Sequence, residues 1–193
     1  MFKLLIFMKS SEAIKKTNLR IFTLSNSLMA LAFGLFGSFY LIFINKIGGS
    51  IENFGMAVGL VMFFSAITSF IAGKYSDKIG RKPFLIISGY SSVIIILLYT
   101  LINSLWQLYL LQIFNGIISA IFEISEHAFL GDITSRSKRG YSLGRYFLIV
   151  GIVEAVAVFI GGILVGKFGF KIIFYVISLI FGISTTIMLK IRE

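Results

Sequence analysis

The sequence predicts an all-α membrane protein with six transmembrane helices, and three observations lead to this fold class. Of the 193 residues, 58% are hydrophobic and only 13% are charged, and the mean hydropathy is +0.97. Soluble domains carry about 25% charged residues and leave about a third of their unfolded surface in contact with water. The apolar residues form six long stretches, and most basic residues lie between those stretches. Lipid is therefore the expected solvent of this chain.

Six stretches are long enough to cross a membrane as helices, which takes about 20 mainly apolar residues. Their predicted cores are residues 19–44, 54–72, 84–102, 108–130, 143–165 and 172–189. The connections are short, so we expect one transmembrane domain over residues 1–193. The apolar stretch near the N-terminus is only five residues long, which is too short for the core of a secretory signal. We therefore expect residues 1–18 to be a retained cytoplasmic tail. Cytoplasmic loops are expected at 73–83 and 131–142.

The basic residues predict the orientation of the chain. With both termini in the cytoplasm, 15 of the 18 Lys and Arg residues are cytoplasmic, as the positive-inside rule requires. The fifteen are Lys3, Lys9, Lys15, Lys16, Arg20, Lys74, Lys78, Arg81, Lys82, Arg136, Lys138, Arg139, Arg145, Lys190 and Arg192. Only Lys46, Lys167 and Lys171 fall on the other side. We predict a multi-pass protein of the cell membrane with cytoplasmic termini.

Composition argues against several other functions. The net charge of +10 is scattered over short loops, which indicates a lipid partner and no nucleic acid. There is no cysteine, so disulfides and thiolate sites are excluded. Glu123 and His127 lie one helical turn apart and could suggest a metal pair. Helical di-metal sites need further Glu-x-x-His elements on other helices, and this sequence has only one histidine. No Gly-x-Ser motif is paired with a suitable histidine. We expect no enzyme, no metal and no cofactor.

Small residues recur four positions apart, a spacing that lets helix backbones approach closely. The pairs are Gly55 with Gly59, Gly116 with Ala120, Gly151 with Ala155, and Gly162 with Gly166. We expect them to lie at helix contacts. The similar segments "IAGKY" and "LVGKF" close the second and fifth predicted helices, as an inverted three-plus-three repeat would place them.

The stretch "GKYSDKIGRKP", residues 73–83, lies between the second and third predicted helices. Its two glycines permit a tight turn, and Pro83 suits the first turn of the following helix, where a missing N–H costs nothing. An ordinary positive-inside loop would explain the cations. It would not explain the spacing of the glycines, the acidic residue and the paired bases.

That spacing closely resembles the signature G-x-x-x-D-[RK]-x-G-[RK]-[RK] of the major facilitator superfamily. The matching residues are Gly73, Asp77, Lys78, Gly80, Arg81 and Lys82. The resemblance implies a conformational latch, in which Asp77 caps a helix of the opposite half-transporter. Arg81 would pair with an acidic residue near the inner end of helix 4. Family members normally have twelve helices in two halves, so the chain resembles one half of such a bundle, a three-plus-three inverted repeat.

The rest of the chain fits this family more loosely. "GDITSRSKRGYSLGR" resembles the loop between helices 4 and 5. Gln112 stands four residues before Gly116, where the family usually has arginine. Ala157 and Val158 replace the Gly-Pro pair that many drug/proton antiporters carry in helix 5. These departures put an assignment as a proton antiporter in doubt.

Polar residues inside the membrane mark the candidate site. In the fourth predicted helix they share one face, and the set is Gln112, Asn115, Ser119, Glu123 and Glu126, flanked by His127. Glu154 lies near the middle of the fifth helix. An ionised side chain there costs about 2.5–3.5 kcal/mol on insertion scales. We expect these groups to face a polar cavity that serves as a solute or proton pathway.

Two alternatives to that interpretation remain open. Glu123 and Glu126 would pair with Arg81, Arg139 or Arg145 at the cytoplasmic surface if their role were structural. A single histidine such as His127 often only forms a hydrogen bond.

The resemblance implies transport of a small solute by alternating access, with the chain acting as a homodimer or with a separately encoded second half. The alternative is a truncated or accessory six-helix membrane protein without transport activity of its own.

Overall fold

The computed structural model describes residues 2–192, with side chains from residue 12 onward, and this part of the chain is helical without any strand. The helices are α1 (Phe2–Phe36), α2 (Tyr40–Lys46), α3 (Ile51–Ile79), α4 (Lys82–Tyr99), α5 (Leu105–Ile133) and α6 (Arg139–Met188). Short 3-10 turns join α1 to α2 and lead into α6. The all-α class is therefore confirmed.

Five helical stretches are long and apolar enough to cross a membrane, where the sequence predicted six separate helices. The difference lies in α6, which holds both the fifth and sixth predicted spans. Its backbone leaves the helical region at Gly169, with φ 73° and ψ 170°. Glycine adopts a positive φ without the steric penalty that a Cβ would add. We refer to residues 139–168 as α6a and to 170–188 as α6b.

The chain reverses direction at Gly169. Tyr146 of α6a and Met188 of α6b belong to one buried cluster with Phe22 of α1. In one straight helix, residues 146 and 188 would lie about 63 Å apart at about 1.5 Å per residue. The two arms of α6 therefore form an antiparallel pair, and each has the length of one crossing.

Helix α1 packs against both arms of α6. Its last turns contribute Ala32 and Leu35 to a buried cluster with Ala157 of α6a and Ile173 of α6b. Toward α2, aromatic rings meet with centroids 4.7–6.3 Å apart. These rings belong to Phe36, Tyr40, Phe43, Tyr99, Phe170 and Phe174. Edge and offset contacts of this kind add about 0.5–1.5 kcal/mol per pair to the burial of the rings.

Asn18 of α1 meets the C-terminal end of the described chain on one face of the bundle. The Asn18 amide donates to the Arg192 carbonyl over 2.6 Å, and the Arg192 N–H donates to Asn18 Oδ1 over 3.1 Å. Lys82 Nζ donates to the Ile191 carbonyl over 2.7 Å on the same face. We call this the terminal face. The basic residues of the α3–α4 connection thus lie beside the basic C-terminal end.

The glycines that make tight helix contacts differ from most of the expected pairs. Only Gly116 with Ala120 fits the expectation, since a Cβ at position 116 would lie 2.5 Å from the Val61 carbonyl oxygen and Ala120 is fully buried. A Cβ at Gly55, Gly59, Gly151 or Gly166 would meet nothing within 4 Å. Four-residue spacing therefore does not tell which helix face meets a neighbour.

Gly34 provides the tightest approach of α1 to α6a. A Cβ at this position would lie 2.6 Å from the Glu154 carbonyl oxygen and 2.8 Å from Ala157 Cβ. Both obstacles are backbone or Cβ atoms of a packed helix, so they cannot rotate away. The small size of Gly34 thus sets the distance between the two helices.

We predict that Gly34→Ala lowers the free energy of unfolding by about 1–3 kcal/mol, the usual cost of overpacking. The matched control is Gly151→Ala, because a Cβ there meets nothing and alanine is the better helix former. Unfolding in mixed detergent micelles, followed by circular dichroism, measures both. Equal stability of the two variants would contradict the close α1–α6a contact.

Candidate functional site

A cavity of about 630 Å³ lies between the helices and is partly open at the surface of the bundle. It is lined by residues of every helix from α1 to α6. The polar face predicted for α5 borders it, with Gln112, Asn115, Ser119, Glu123 and Glu126. Glu154 of α6a lines it as well. His127 is exposed and is not among the lining residues.

At the α2 end of the cavity, Gln112 anchors a small network of neutral groups. Its side chain is only 2% exposed, and its amide donates to the Tyr40 hydroxyl. Asn115 Nδ2 in turn donates to Gln112 Oε1 over 3.3 Å. The amide of Gln112 thus joins α5 to α2, at the position where arginine is usual in the family that the sequence resembles.

At the other end, Glu126 is held by neutral donors from two other helices. Asn26 Nδ2 of α1 donates to Glu126 Oε1 over 2.7 Å, and the Tyr146 hydroxyl of α6a donates to the same oxygen. Asn26 Nδ2 also lies within hydrogen-bond distance of the Tyr146 hydroxyl. Hydrogen bonds to a carboxylate offset part of the cost of burying it.

An arginine partner for Glu126 was the alternative that the sequence left open, but the partners of Glu126 in the structure are Asn26 and Tyr146. Arg81 pairs instead with Asp77 and Asp132, and Arg139 donates to the Gly131 carbonyl over 2.7 Å. Sequence reasoning did not find Asn26, Tyr40 or Tyr146. The sequence did contain one signal, Asn26 in an apolar helix. Its side chain needs a hydrogen-bond partner within the protein because lipid offers none.

Glu123 and Glu154 border the same cavity from α5 and α6a. Glu123 is exposed, and Glu154 is half-buried. The backbone of Glu154 lies against Gly34, so the position of this carboxyl depends on the close α1–α6a contact. A solute or proton pathway through these residues stays a prediction.

Most of the 73–83 segment is helical, although hydropathy and the two glycines predicted a loop. Helix α3 continues to Ile79, and the Gly80 N–H donates to the Ser76 carbonyl over 3.1 Å. Hydropathy falls at Gly73, but the backbone hydrogen bonds continue into the charged residues. Only Gly80 and Arg81 connect α3 to α4, and Gly80 has a φ of 100°, which favours glycine.

Arg81 connects three helices on the terminal face. Its Nη2 lies 2.8 Å from Asp77 Oδ1 in the last turns of α3, and its Nε lies 3.3 Å from Asp132 Oδ2 near the end of α5. The guanidinium also donates to the Ser76 carbonyl. Arg81 thus contacts an acidic residue near one end of the fourth membrane helix, and the role of this pairing as a latch stays a prediction. Asp77 itself is 72% exposed and accessible to a further partner.

Residues 22–193 match the family model of the Major Facilitator Superfamily. The chain belongs to this superfamily. It is 28% identical over 162 residues to an uncharacterized MFS-type transporter, YitZ of Bacillus subtilis, and the match covers 84% of this chain and 99% of YitZ.

Other superfamily relatives are longer than the region they share with this chain. The multi-drug resistance efflux pump PmrA of Streptococcus pneumoniae is 29% identical over 169 residues, covering 84% of this chain and 42% of PmrA. The class H tetracycline resistance protein of Pasteurella multocida is 33% identical over 117 residues, covering 61% of this chain and 28% of that protein. The chain thus spans less than half of these two relatives and nearly all of YitZ.

Proposed function

We propose that the chain moves a small solute across the cell membrane by alternating access, as one half of a transporter. The observation that carries this proposal is the cavity, in which three glutamates and several amides from different helices surround one space within a lipid-embedded bundle. Transporters of this type bind solute near the midplane, between two bundles that rock against each other. The carboxylates of this cavity supply the polar groups that such a site needs.

A second six-helix unit completes the proposed transporter. The cavity is partly open and Glu123 is exposed there, so an isolated chain would present a carboxylate to lipid. A second bundle in the same orientation would cover this side and leave a solute site between the two halves. A homodimer is the first candidate, and a separately encoded second half is the other.

The Arg81 network suits a role in switching between conformations. It lies on the terminal face and ties the ends of α3 and α5 together through Asp77 and Asp132. We propose that the exposed Asp77 caps a helix end of the second unit in one of the two states, where a carboxylate interacts favourably with the helix dipole. The network would then set the conformational equilibrium without touching the solute.

The names of the relatives point to drugs as the first solutes to test. PmrA is named for multi-drug efflux and the Pasteurella protein for tetracycline resistance. Purified chain in proteoliposomes should move ethidium or tetracycline faster than protein-free liposomes. Ser119→Trp should abolish the flux by filling the cavity, whereas Phe114→Trp, on an exposed side of α5, should not.

Flux that appears only with a second protein would favour the separately encoded half. A folded chain without flux in either case would support the alternative of an accessory protein.

We predict that the terminal face is cytoplasmic, because the basic residues gather there. The chain has no cysteine, so single-cysteine variants need no background changes. Ser137→Cys should react with an impermeant thiol reagent only from the inside, and Ser50→Cys only from the outside. The reverse labelling would contradict the orientation.

For the network on the terminal face, we predict that Asp77→Asn changes the transport rate several-fold while the apparent solute affinity stays within about threefold. The solute cavity remains intact in this variant, so only the switching step is affected. Glu52→Gln, an exposed carboxylate at the start of α3, is the control and should leave both quantities unchanged. A wild-type transport rate for Asp77→Asn would contradict the proposed role of Asp77 as a latch.

The homodimer predicts contact between the open sides of two copies. Ser119→Cys should form a crosslink between copies in native membranes with a short bifunctional thiol reagent, and Phe114→Cys should not. Absence of the crosslink, together with a monomeric mass in lipid nanodiscs, would reject the homodimer.

A further inference from the structure

A second concave surface lies on the α4–α6b pair. It is a groove of about 670 Å³, lined by Tyr90 and Val93 of α4 and by eight residues between positions 175 and 190. None of these residues lines the cavity described above, which takes Ile95 of α4 and Phe174 of α6b instead. The two concave surfaces therefore use different faces of the same two helices. We call the second one the α4–α6b groove.

The walls of this groove are apolar along most of its length. Leu179 and Ile183 line it and are exposed. Gly182 leaves its floor open, because a Cβ at that position would meet only Val93 Cγ2, at 4.0 Å. From residue 175 to residue 190 the groove runs about 22 Å at about 1.5 Å per residue, and one leaflet of the hydrocarbon core is about 15 Å thick. The groove thus has the lining and the length to hold an acyl chain.

The groove becomes polar toward the terminal face. The Tyr90 hydroxyl lies 3.1 Å from Thr186 Oγ1. Thr186 donates its own proton to the Gly182 carbonyl over 2.7 Å, so the Tyr90 hydroxyl is the donor of the pair. Four residues further, Lys190 is exposed and is the one charged residue among the described residues that line the groove. Apolar walls that lead to hydroxyls and then to an ammonium group match the order of groups in a phospholipid.

The charge at this end of the groove favours an acidic lipid over a neutral one. Lys190 and Arg192 are both exposed, and Lys82 Nζ lies 2.7 Å from the carbonyl of the residue between them, Ile191. No Asp or Glu is among the lining residues that the structure describes. Basic pockets between membrane helices attract anionic headgroups, and each nearby Lys or Arg adds to the attraction. The headgroup that fits best carries a net negative charge.

We infer that the α4–α6b groove binds an acidic phospholipid, with an acyl chain along Leu179, Gly182 and Ile183 and the phosphate against Lys190. The lipid belongs to the leaflet on the side of the terminal face. The Tyr90 hydroxyl can turn its proton from Thr186 toward an ester or phosphate oxygen of the lipid. The inference does not depend on transport, because the groove and the cavity share no lining residue.

Native mass spectrometry of the full chain, released from detergent micelles, measures lipid binding directly. Phosphatidylglycerol and phosphatidylcholine with identical acyl chains are titrated separately, so that only the headgroup differs. Phosphatidylglycerol should bind at least about tenfold more tightly, because more than one cation lies at the headgroup end. Glycerol phosphate, which has the phosphate without acyl chains, should not compete. A diazirine in the acyl chain of phosphatidylglycerol should crosslink to residues between 175 and 190.

Two variants separate the headgroup from the acyl chain. Lys190→Gln should lower the preference for phosphatidylglycerol about fivefold, and Lys190→Arg should keep it. Lys171→Gln is the matched control, because it removes an exposed cation at the opposite end of α6b. Gly182→Leu should weaken the binding of both lipids by filling the groove. Gly166→Leu is its control, because a Cβ there meets nothing and the position lies outside the groove.

Several results would overturn the inference. Equal affinities for the two lipids would do so, as would an unchanged preference in Lys190→Gln or unchanged lipid binding by the folded Gly182→Leu variant. Acyl crosslinks confined to other segments would place the acidic lipid elsewhere. A crosslink between copies at Leu179→Cys, without bound lipid, would show that a second protein chain occupies the groove. If Lys190→Gln does not fold, Gly182→Leu and the acyl crosslink still decide.

Discussion

The cost of a carboxylate in hydrocarbon constrains this structure more than any other single factor. Each ionised group near the middle of a membrane costs about 2.5–3.5 kcal/mol on insertion scales, and Glu123, Glu126 and Glu154 all belong to membrane helices. The bundle gathers all three around one cavity. It also supplies Asn26 and Tyr146 as donors to the most enclosed of them. The placement of α1, α5 and α6a follows from this requirement.

The packing of α1 against both arms of α6 allows the helices to meet that requirement. Gly34 lets α1 lie directly against the backbone of α6a, and Ser25 exchanges hydrogen bonds with Ser184 of α6b over 2.7–2.8 Å. Interhelical hydrogen bonds contribute only about 0.6 kcal/mol on average in membranes. We therefore expect the close packing of small residues to carry much of the stability. The same contacts hold Asn26 of α1 where it reaches Glu126.

Much of the fold followed from the sequence because it depends on local properties. Hydropathy located the membrane crossings, and the spacing of Gly73, Asp77, Gly80 and Arg81 was sufficient to indicate the superfamily. The polar face of α5 also followed from its periodicity, since Gln112 to Glu126 recur at helical steps. Each of these features can be read from one segment at a time.

The features that the sequence did not predict depend on which distant segments contact each other. Nothing near Asn26 in the sequence points to Tyr146, which lies 120 residues away. Gly55 and Gly59 have the spacing of a helix contact but face open space, whereas Gly34 makes a tight contact with α6a. The helical end of α3 was also missed, because hydropathy falls at Gly73 while the hydrogen bonds continue to Gly80.

The central claim is that the polar face of α5 lies in a cavity and not in lipid. Spin labels at Ser119→Cys and Phe114→Cys test it in native membranes, because oxygen collects in hydrocarbon whereas a nickel chelate stays in water. We predict a clearly lower ratio of oxygen to nickel accessibility at 119 than at 114. Equal, oxygen-dominated accessibility at both positions would instead place the glutamate face in lipid and contradict a cavity beside α5.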